Sequence, residues 1–176
     1  MTLLKRVQEN GKVVALVAVL AAAAAFGVTM TNASAQSPRA TLPSAAPLAA
    51  SPHADGEHFS VDAALVGPCA PNAECTIAIK VAVRDDYHVN PEFPHKFTAQ
   101  DAAGVEFLGK DPAKKNVFSK TAGDFASSDP KSAVLTVRFK AQPGSATITG
   151  TLKLGVCSDQ NCMLPVVDLA IPVTVK

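Results

Sequence analysis

The sequence predicts an all-β domain with the architecture of an immunoglobulin-like antiparallel β-sandwich. Apolar and polar residues alternate along several short segments, which is typical of strands that bury one face. Gly, Pro, Asn and Asp punctuate the chain between these segments, as expected for the turns that join short strands. About seven or eight strands of this kind in one domain are typical of the immunoglobulin-like sandwich.

Each predicted strand is a run of alternating or continuous apolar residues with a turn signal on either side. The predicted strands are residues 59–65, 76–83, 96–99, 105–108, 133–139, 146–156 and 166–175. Pro172 lies inside the last strand and has no N–H to donate to a neighbour, so this strand is predicted at a sheet edge. Residues 110–131 lack a clear alternation and are predicted to form a long surface loop.

The N-terminal part of the chain has the features of a secretory signal peptide. Three basic residues precede an almost wholly apolar run over residues 13–30, and Ala33-Ser34-Ala35 supplies small residues at a cleavage site. We therefore predict a signal peptide over residues 1–35. An uncleaved membrane anchor is the alternative, because the apolar run is near the minimum length for spanning a bilayer.

Composition separates a tether from the folded domain and excludes some functions. Residues 36–57 are rich in Ala, Pro and Ser and are predicted to be a disordered linker, followed by one domain over residues 58–176. The leader holds three of the 16 basic and one of the 15 acidic residues, so the rest of the chain has 13 basic and 14 acidic residues. This balance gives no electrostatic footprint for nucleic acid, and no stable membrane insertion is expected after cleavage.

All four cysteines lie in the predicted domain, and export would place them where disulfides form. Four cysteines allow three pairings, and proximity favours Cys69 with Cys75 and Cys157 with Cys162. The first pair lies in a proline-rich turn between two predicted strands, which favours a structural disulfide.

Cys157 and Cys162 end one predicted strand and begin the next. Facing residues of a non-hydrogen-bonded antiparallel pair have Cα atoms about 4.5 Å apart, within reach of a disulfide. The pair could be a structural staple or a redox couple. Asp159 and the absence of a basic residue in the loop make its thiols poor attacking nucleophiles, so the pair is better suited to being attacked when oxidised.

Two segments together carry a resemblance to a known family. They are Tyr87-His88-Val89-Asn90-Pro91-Glu92-Phe93-Pro94 and Val156-Cys157-Ser158-Asp159-Gln160-Asn161-Cys162-Met163-Leu164-Pro165. In this order the segments resemble the N-terminal periplasmic domain of the thiol:disulfide interchange protein DsbD, over the whole predicted domain. Met163 departs from the pattern, since many members have an aromatic residue there, and the cysteine spacing is one residue shorter than in the best-known members.

The resemblance implies an immunoglobulin-like fold and a role in periplasmic thiol–disulfide exchange without a cofactor. Cys157 and Cys162 would be the redox couple, with Cys162 forming mixed disulfides and Cys157 resolving them. Phe125, or alternatively Phe118, would shield the couple from a flexible cap loop. The implied partners are a thioredoxin-like electron donor, fed by a membrane relay on another polypeptide, and periplasmic thiol clients such as disulfide isomerases and cytochrome c biogenesis factors.

Two other functions are compatible with the sequence. The first is a copper-binding periplasmic module, because Cys157, Cys162 and Met163 are soft ligands and His88 and His95 are borderline ones. The second is a structural β-sandwich stapled by two disulfides. A hydrolytic enzyme is disfavoured, because the sequence has no evident nucleophile–base constellation or phosphate-binding loop.

Overall fold

The computed structural model describes residues 50–176, so the predicted signal peptide and most of the predicted linker lie outside the described residues. The described part of the chain is built from short antiparallel strands, which confirms the predicted all-β, immunoglobulin-like sandwich. The strands are β1 (His53–Asp55), β2 (Phe59–Leu65), β3 (Cys75–Val83), β4 (His88–Val89), β5 (Lys96–Ala99), β6 (Val105–Phe107), β7 (Val117–Ser119), β8 (Phe125–Asp129), β9 (Ser132–Ala141), β10 (Gly144–Lys153), β11 (Val156–Cys157), β12 (Cys162–Met163) and β13 (Val166–Val175).

Two larger sheets form the sandwich. The first has the order β1-β2-β3-β9-β6, and β8 also pairs with β9, next to a different part of that strand from β6. The second has the order β13-β10-β5-β7. Alternate residues of the long strands point inward and form one continuous hydrophobic core, as the period-two pattern predicts.

β13 is at the edge of its sheet, as Pro172 predicts. Its outward-pointing backbone groups belong to alternate residues: the Ala170 N–H donates to Ser51 O at 3.1 Å and the Lys176 N–H to Cys69 O at 3.0 Å. Pro172 is separated from Ala170 and from Lys176 by an even number of positions, so its backbone nitrogen also faces the outer edge. The proline therefore removes no hydrogen bond from the ladder with β10.

A small third sheet with the order β12-β11-β4 carries the Cys157–Cys162 hairpin. The sequence predicts one strand over residues 146–156, but β10 ends at Lys153 and β11 begins at Val156. The chain leaves the second sheet at Gly155. Only glycine fits at this position, because a Cβ atom there would lie 2.5 Å from the ring of Phe93. The bare backbone lets Phe93 pack against it, and the Gly155 carbonyl accepts the Asn90 N–H at 2.9 Å.

The fold begins earlier than the predicted linker boundary at residue 57. His53–Asp55 form β1, which pairs with β2. The His53 ring bonds to Asp55 at 2.8 Å and Asp62 at 2.7 Å, and these two carboxylates raise the pKa of His53. A three-residue edge strand fixed by side chains has no apolar alternation, which is why the sequence pattern did not reveal it.

Residues 110–131 are more regular than the predicted surface loop. They contain β7, which pairs with β5, and β8, which pairs with β9. β7 has only three residues and β8 is largely exposed, so neither produces a strong period-two pattern. The segment is therefore part of both main sheets.

Cys69 and Cys75 form a disulfide, as proximity predicts, and both residues are buried. Cys75 begins β3 of the first sheet, whereas Cys69 makes a bridge to Val175 at the end of β13 in the second. The bond thus fastens the β2–β3 turn across one end of the sandwich. Residues 50–176 contain no helix that is long and apolar enough to cross a membrane.

Candidate functional site

The Cys157–Cys162 disulfide closes a short hairpin, as predicted. The two residues face each other across β11 and β12, with an S–S length of 2.04 Å and a Cα–Cα distance of 4.0 Å. Between them, the Ser158 N–H donates to Asn161 O at 2.7 Å, and the Ser158 hydroxyl accepts the Asn161 N–H at 3.2 Å. Residues 158–161 therefore form the predicted four-residue turn at the tip of the small sheet.

The two sulfur-bearing residues lie in different environments. Cys157 is only 4% exposed, whereas Cys162 is exposed. The residues that follow Cys162 are also open to solvent: Leu164 is 61% and Val166 60% exposed. An incoming thiolate therefore has access to the Cys162 side of the bond.

Asn90 contacts the buried sulfur. Its side-chain Nδ2 donates to Cys157 Sγ at 3.2 Å, and its Oδ1 accepts the Glu92 N–H at 2.8 Å. Because Oδ1 must face that N–H donor, the amide orientation is fixed and the NH₂ group points toward sulfur. The Asn90-Pro91 turn places this side chain directly after β4, which is next to β11 in the small sheet.

His95 supports Asn90 from the protein interior. The ring is fully buried, and its Nε2 lies 2.7 Å from the Asn90 carbonyl oxygen. Since a carbonyl only accepts, Nε2 carries the proton, and Nδ1 accepts the Gly155 N–H at 3.4 Å. Burial lowers the pKa of His95, partly opposed by the bond to Asn90, so the ring is neutral at pH 7.

The two phenylalanines predicted as alternative caps occupy different places. The half-buried ring of Phe125 stacks on His95, with ring centroids 4.2 Å apart and planes 6° apart. Phe118 is fully buried in the core and meets Phe107 edge-to-face. The expectation that Phe118 shields the disulfide from a loop is therefore corrected: its ring is part of the sandwich interior, because β7 places it opposite Phe97 of β5.

A buried carboxylate fixes the residue before Phe125. The Asp124 side chain is 2% exposed and accepts hydrogen bonds from Arg138 Nη2 at 3.1 Å and from the Ser119 N–H at 3.1 Å. Lys110 Nζ lies 3.7 Å away and also donates to the carbonyls of Ala122 and Gly123. The segment that carries Phe125 is thus tied to β9 and β7, in contrast to the flexible cap loop that the resemblance implies.

Three of the residues proposed as copper ligands make other contacts in the structure. His88 pairs with Cys157 across β4 and β11, a proximity that the sequence alone did not indicate. Both ring nitrogens of His95 are engaged, and the two cysteines are joined in a disulfide rather than present as thiolates. Within residues 50–176 no group of three or more His, Cys, Asp and Glu side chains is arranged to hold a metal ion.

Asn90 and the supporting contact of His95 are the site features that sequence reasoning missed. Sequence patterns assign no role to the Asn90 side chain and indicate His95 only as a possible metal ligand. Asn90 lies within the Tyr87–Pro94 segment that carries the family resemblance, and His95 directly follows that segment. Composition and spacing do not show which of these side chains points to a sulfur.

Comparison with known proteins gives no family assignment. No family model matches the chain, and no curated protein matches it. Two similar solved structures are AggA, the major subunit of aggregative adherence fimbriae type I from Escherichia coli, and the CooA pilin subunit from enterotoxigenic Escherichia coli. AggA is 13% identical, with 67% of this chain and 95% of that chain covered and a TM-score of 0.32. CooA is 13% identical, with 65% and 98% covered and a TM-score of 0.24. At these TM-scores the similarities support no inference about function.

Proposed function

We propose that this protein is a periplasmic thiol–disulfide exchange module of the DsbD N-terminal type, with Cys157 and Cys162 as its redox couple. The observation that carries the proposal is the unequal exposure of the two residues in one disulfide. Cys162 is exposed and Cys157 is 4% exposed, so an attacking thiolate meets one sulfur preferentially. A purely structural staple needs no such inequality.

Electrons enter in two steps that involve a partner dithiol of the thioredoxin-like class. A partner thiolate attacks Cys162 Sγ, the Cys157–Cys162 bond breaks, and Cys157 leaves with the electron pair. The partner's second thiolate then attacks its own sulfur in the mixed disulfide and releases Cys162. The partner becomes a disulfide, both cysteines of this chain become thiols, and the two protons given up by the partner are taken up through solvent.

Electrons leave by the reverse chemistry toward an oxidised client. The Cys162 thiolate attacks the client disulfide and forms a mixed disulfide. Cys157 then attacks Cys162 Sγ, which restores the internal disulfide and releases the client as a dithiol. Phe125 is proposed as the shielding aromatic of this site, acting through its stack on His95.

The Cys157→Ser variant is expected to trap a mixed disulfide through Cys162. The variant keeps the exposed sulfur but removes the thiol that resolves the intermediate. Incubated with a purified thioredoxin variant that lacks its second active-site cysteine and carries a thionitrobenzoate disulfide on the first, it should release thionitrobenzoate and give a reducible adduct on non-reducing gels, confirmed by mass spectrometry. The matched Cys162→Ser variant, which retains only the buried sulfur of the pair, should give at least about tenfold less adduct because access falls. Equal yields, or no adduct with either variant, would contradict the proposal.

The exposed apolar residues after β12 support a protein partner. Leu164 and Val166 follow Cys162 by two and four residues along the chain and are each about three-fifths exposed. Apolar side chains adjacent to a reactive group are typical of the buried centre of a protein interface. A small thiol would gain nothing from them.

Leu164→Glu is therefore expected to slow exchange with reduced thioredoxin by about tenfold, which corresponds to about 1.4 kcal/mol of lost contact. Reduction by dithiothreitol should remain within about twofold of the unmodified protein, because that reagent makes no interface. Stopped-flow or quenched-gel kinetics with both reductants measure this ratio. Val66→Glu is the matched control, since Val66 is 56% exposed but follows β2, outside the hairpin. An equal effect of both substitutions on thioredoxin exchange would rule out this docking surface.

A further inference from the structure

Every hydrogen-bonding group of Asn90 has a partner within the protein. Its backbone N–H donates to Gly155 O at 2.9 Å, and its carbonyl accepts from His95 Nε2 at 2.7 Å. Its Oδ1 accepts from the Glu92 N–H at 2.8 Å, and its Nδ2 donates to Cys157 Sγ at 3.2 Å. A residue held by two backbone and two side-chain hydrogen bonds is positioned before any reaction begins.

The sulfur that receives this hydrogen bond changes its character during reduction. In a disulfide, sulfur is a weak acceptor, whereas a thiolate sulfur carries a full negative charge. A hydrogen bond to a charged acceptor is roughly twice as strong as one between neutral groups. The Asn90 N–H therefore stabilises the reduced, deprotonated state of Cys157 more than the oxidised state.

We propose that Asn90 is a catalytic residue of this couple, which stabilises the developing Cys157 thiolate and so directs incoming thiolates to Cys162. The inference rests on the proposed function. When the bond between the two sulfurs breaks, the electron pair goes to the sulfur that is better stabilised as a leaving group. Asn90 contacts Cys157, and Cys162 has no side-chain hydrogen-bond donor among residues 50–176.

The supporting contacts account for the precision of this arrangement. His95 is neutral and fully buried, stacks on Phe125 and holds the Asn90 carbonyl. Gly155 receives the Asn90 N–H and immediately precedes the strand that carries Cys157. The amide and the sulfur are therefore anchored to the same backbone corner, which places the donor next to Cys157 before the disulfide opens.

Asn90→Asp tests the role of the amide with little change in shape. The new carboxylate can still accept the Glu92 N–H, but it presents an acceptor to Cys157 in place of a donor. The pKa of the Cys157 thiol, measured from thiolate absorbance in the reduced Cys162→Ser background, should rise by at least about one unit. With both cysteines present, the reduction rate with dithiothreitol should fall about tenfold. The equilibrium constant with glutathione should also shift toward the disulfide, by a factor that approaches about tenfold, or about 30 mV, at a pH above the Cys157 pKa of both proteins, where the reduced state is a thiolate.

Asn161→Asp is the control, because it adds the same charge to the hairpin turn and Asn161 has no side-chain hydrogen bond to either sulfur. Asn161→Asp should change the pKa of the Cys157 thiol by less than about 0.3 unit. Equal shifts in the two variants, or none in Asn90→Asp, would overturn the inference.

A measurement on the unaltered sequence covers the case in which Asn90→Asp fails to fold. The two side-chain amide protons of Asn90 are observed by ¹⁵N-resolved NMR in the oxidised and the reduced protein at pH 9–10. The proton directed at Cys157 should move downfield on reduction, whereas the amide protons of Asn116, which donates to Ala99 O, should not move. An unchanged Asn90 signal would contradict the inference. Neither measurement needs a protein partner, so failure of the thioredoxin trap and failure of the Asn90 role are separate outcomes.

Discussion

Phe118→Ala is expected to lower the free energy of unfolding by about 3–5 kcal/mol, the usual range for truncating a fully buried phenylalanine. The ring has no exposed surface, lies opposite Phe97 across β7 and β5, and meets Phe107 with centroids 6.3 Å apart and planes at 71°. The smaller side chain leaves a cavity in the core of the sandwich, where the paired strands limit how far the surroundings can collapse. Urea unfolding followed by far-UV circular dichroism measures the loss.

Phe125→Ala is the matched control, because it removes the same ring from a half-buried position. Its stack on His95 is lost, and we expect a cost below about 1.5 kcal/mol, since part of the ring is already in water and neighbouring side chains can relax. A larger loss of unfolding free energy for Phe125→Ala than for Phe118→Ala would contradict the assignment of Phe118 to the core and of Phe125 to the site. A loss below about 1 kcal/mol for Phe118→Ala would show that β7 is not packed as described.

Arg138→Met is expected to lower the free energy of unfolding by about 3 kcal/mol. The substitution keeps an unbranched apolar stem but removes the guanidinium that lies 3.1 Å from the Asp124 carboxylate, which is 2% exposed. Lys110 remains 3.7 Å away, yet half of its side chain is in solvent, so it compensates only in part. Denaturant titration at neutral pH tests this expectation.

Lys140→Met is the control for this charge removal. Lys140 is two residues further along β9 and has no ion pair among residues 50–176, so its loss should cost less than about 1 kcal/mol. The double variant Asp124→Asn, Arg138→Met should recover part of the stability, because it no longer buries an uncompensated charge. If Arg138→Met costs no more than Lys140→Met, Asp124 does not anchor this segment.

The main sheets were predictable because burial of one face imposes a period of two. The strands over residues 59–65, 96–99 and 166–175 have the predicted bounds, and the long β3 and β9 differ by only one or two residues at their ends. β1, β4, β11 and β12 have two or three residues each, too few for alternation to be detected. Their formation depends on side-chain contacts and on neighbours that are distant in sequence.

Of the candidate site, the disulfide and its turn were predictable from the sequence, whereas the surrounding contacts were not. The spacing of Cys157 and Cys162 indicates a hairpin disulfide, and the residues between them indicate its turn. The difference in exposure between the two cysteines depends on a tertiary contact, because β11 lies between β4 and β12 in the small sheet whereas β12 lies at its edge. The hydrogen bond from Asn90 joins residues 67 positions apart and has no signature in local pattern.

The outer edge of β13 has a consequence for self-association. A ten-residue strand at a sheet edge would normally offer a row of free N–H and C=O groups on which a second chain could add a strand. Here the Ala170 N–H donates to Ser51 O and the Lys176 N–H donates to Cys69 O, and Pro172 between them has no N–H. The turn closed by the Cys69–Cys75 disulfide is therefore also a guard against edge-to-edge aggregation. This protection is independent of the other disulfide, so reduction of Cys157–Cys162 leaves it in place.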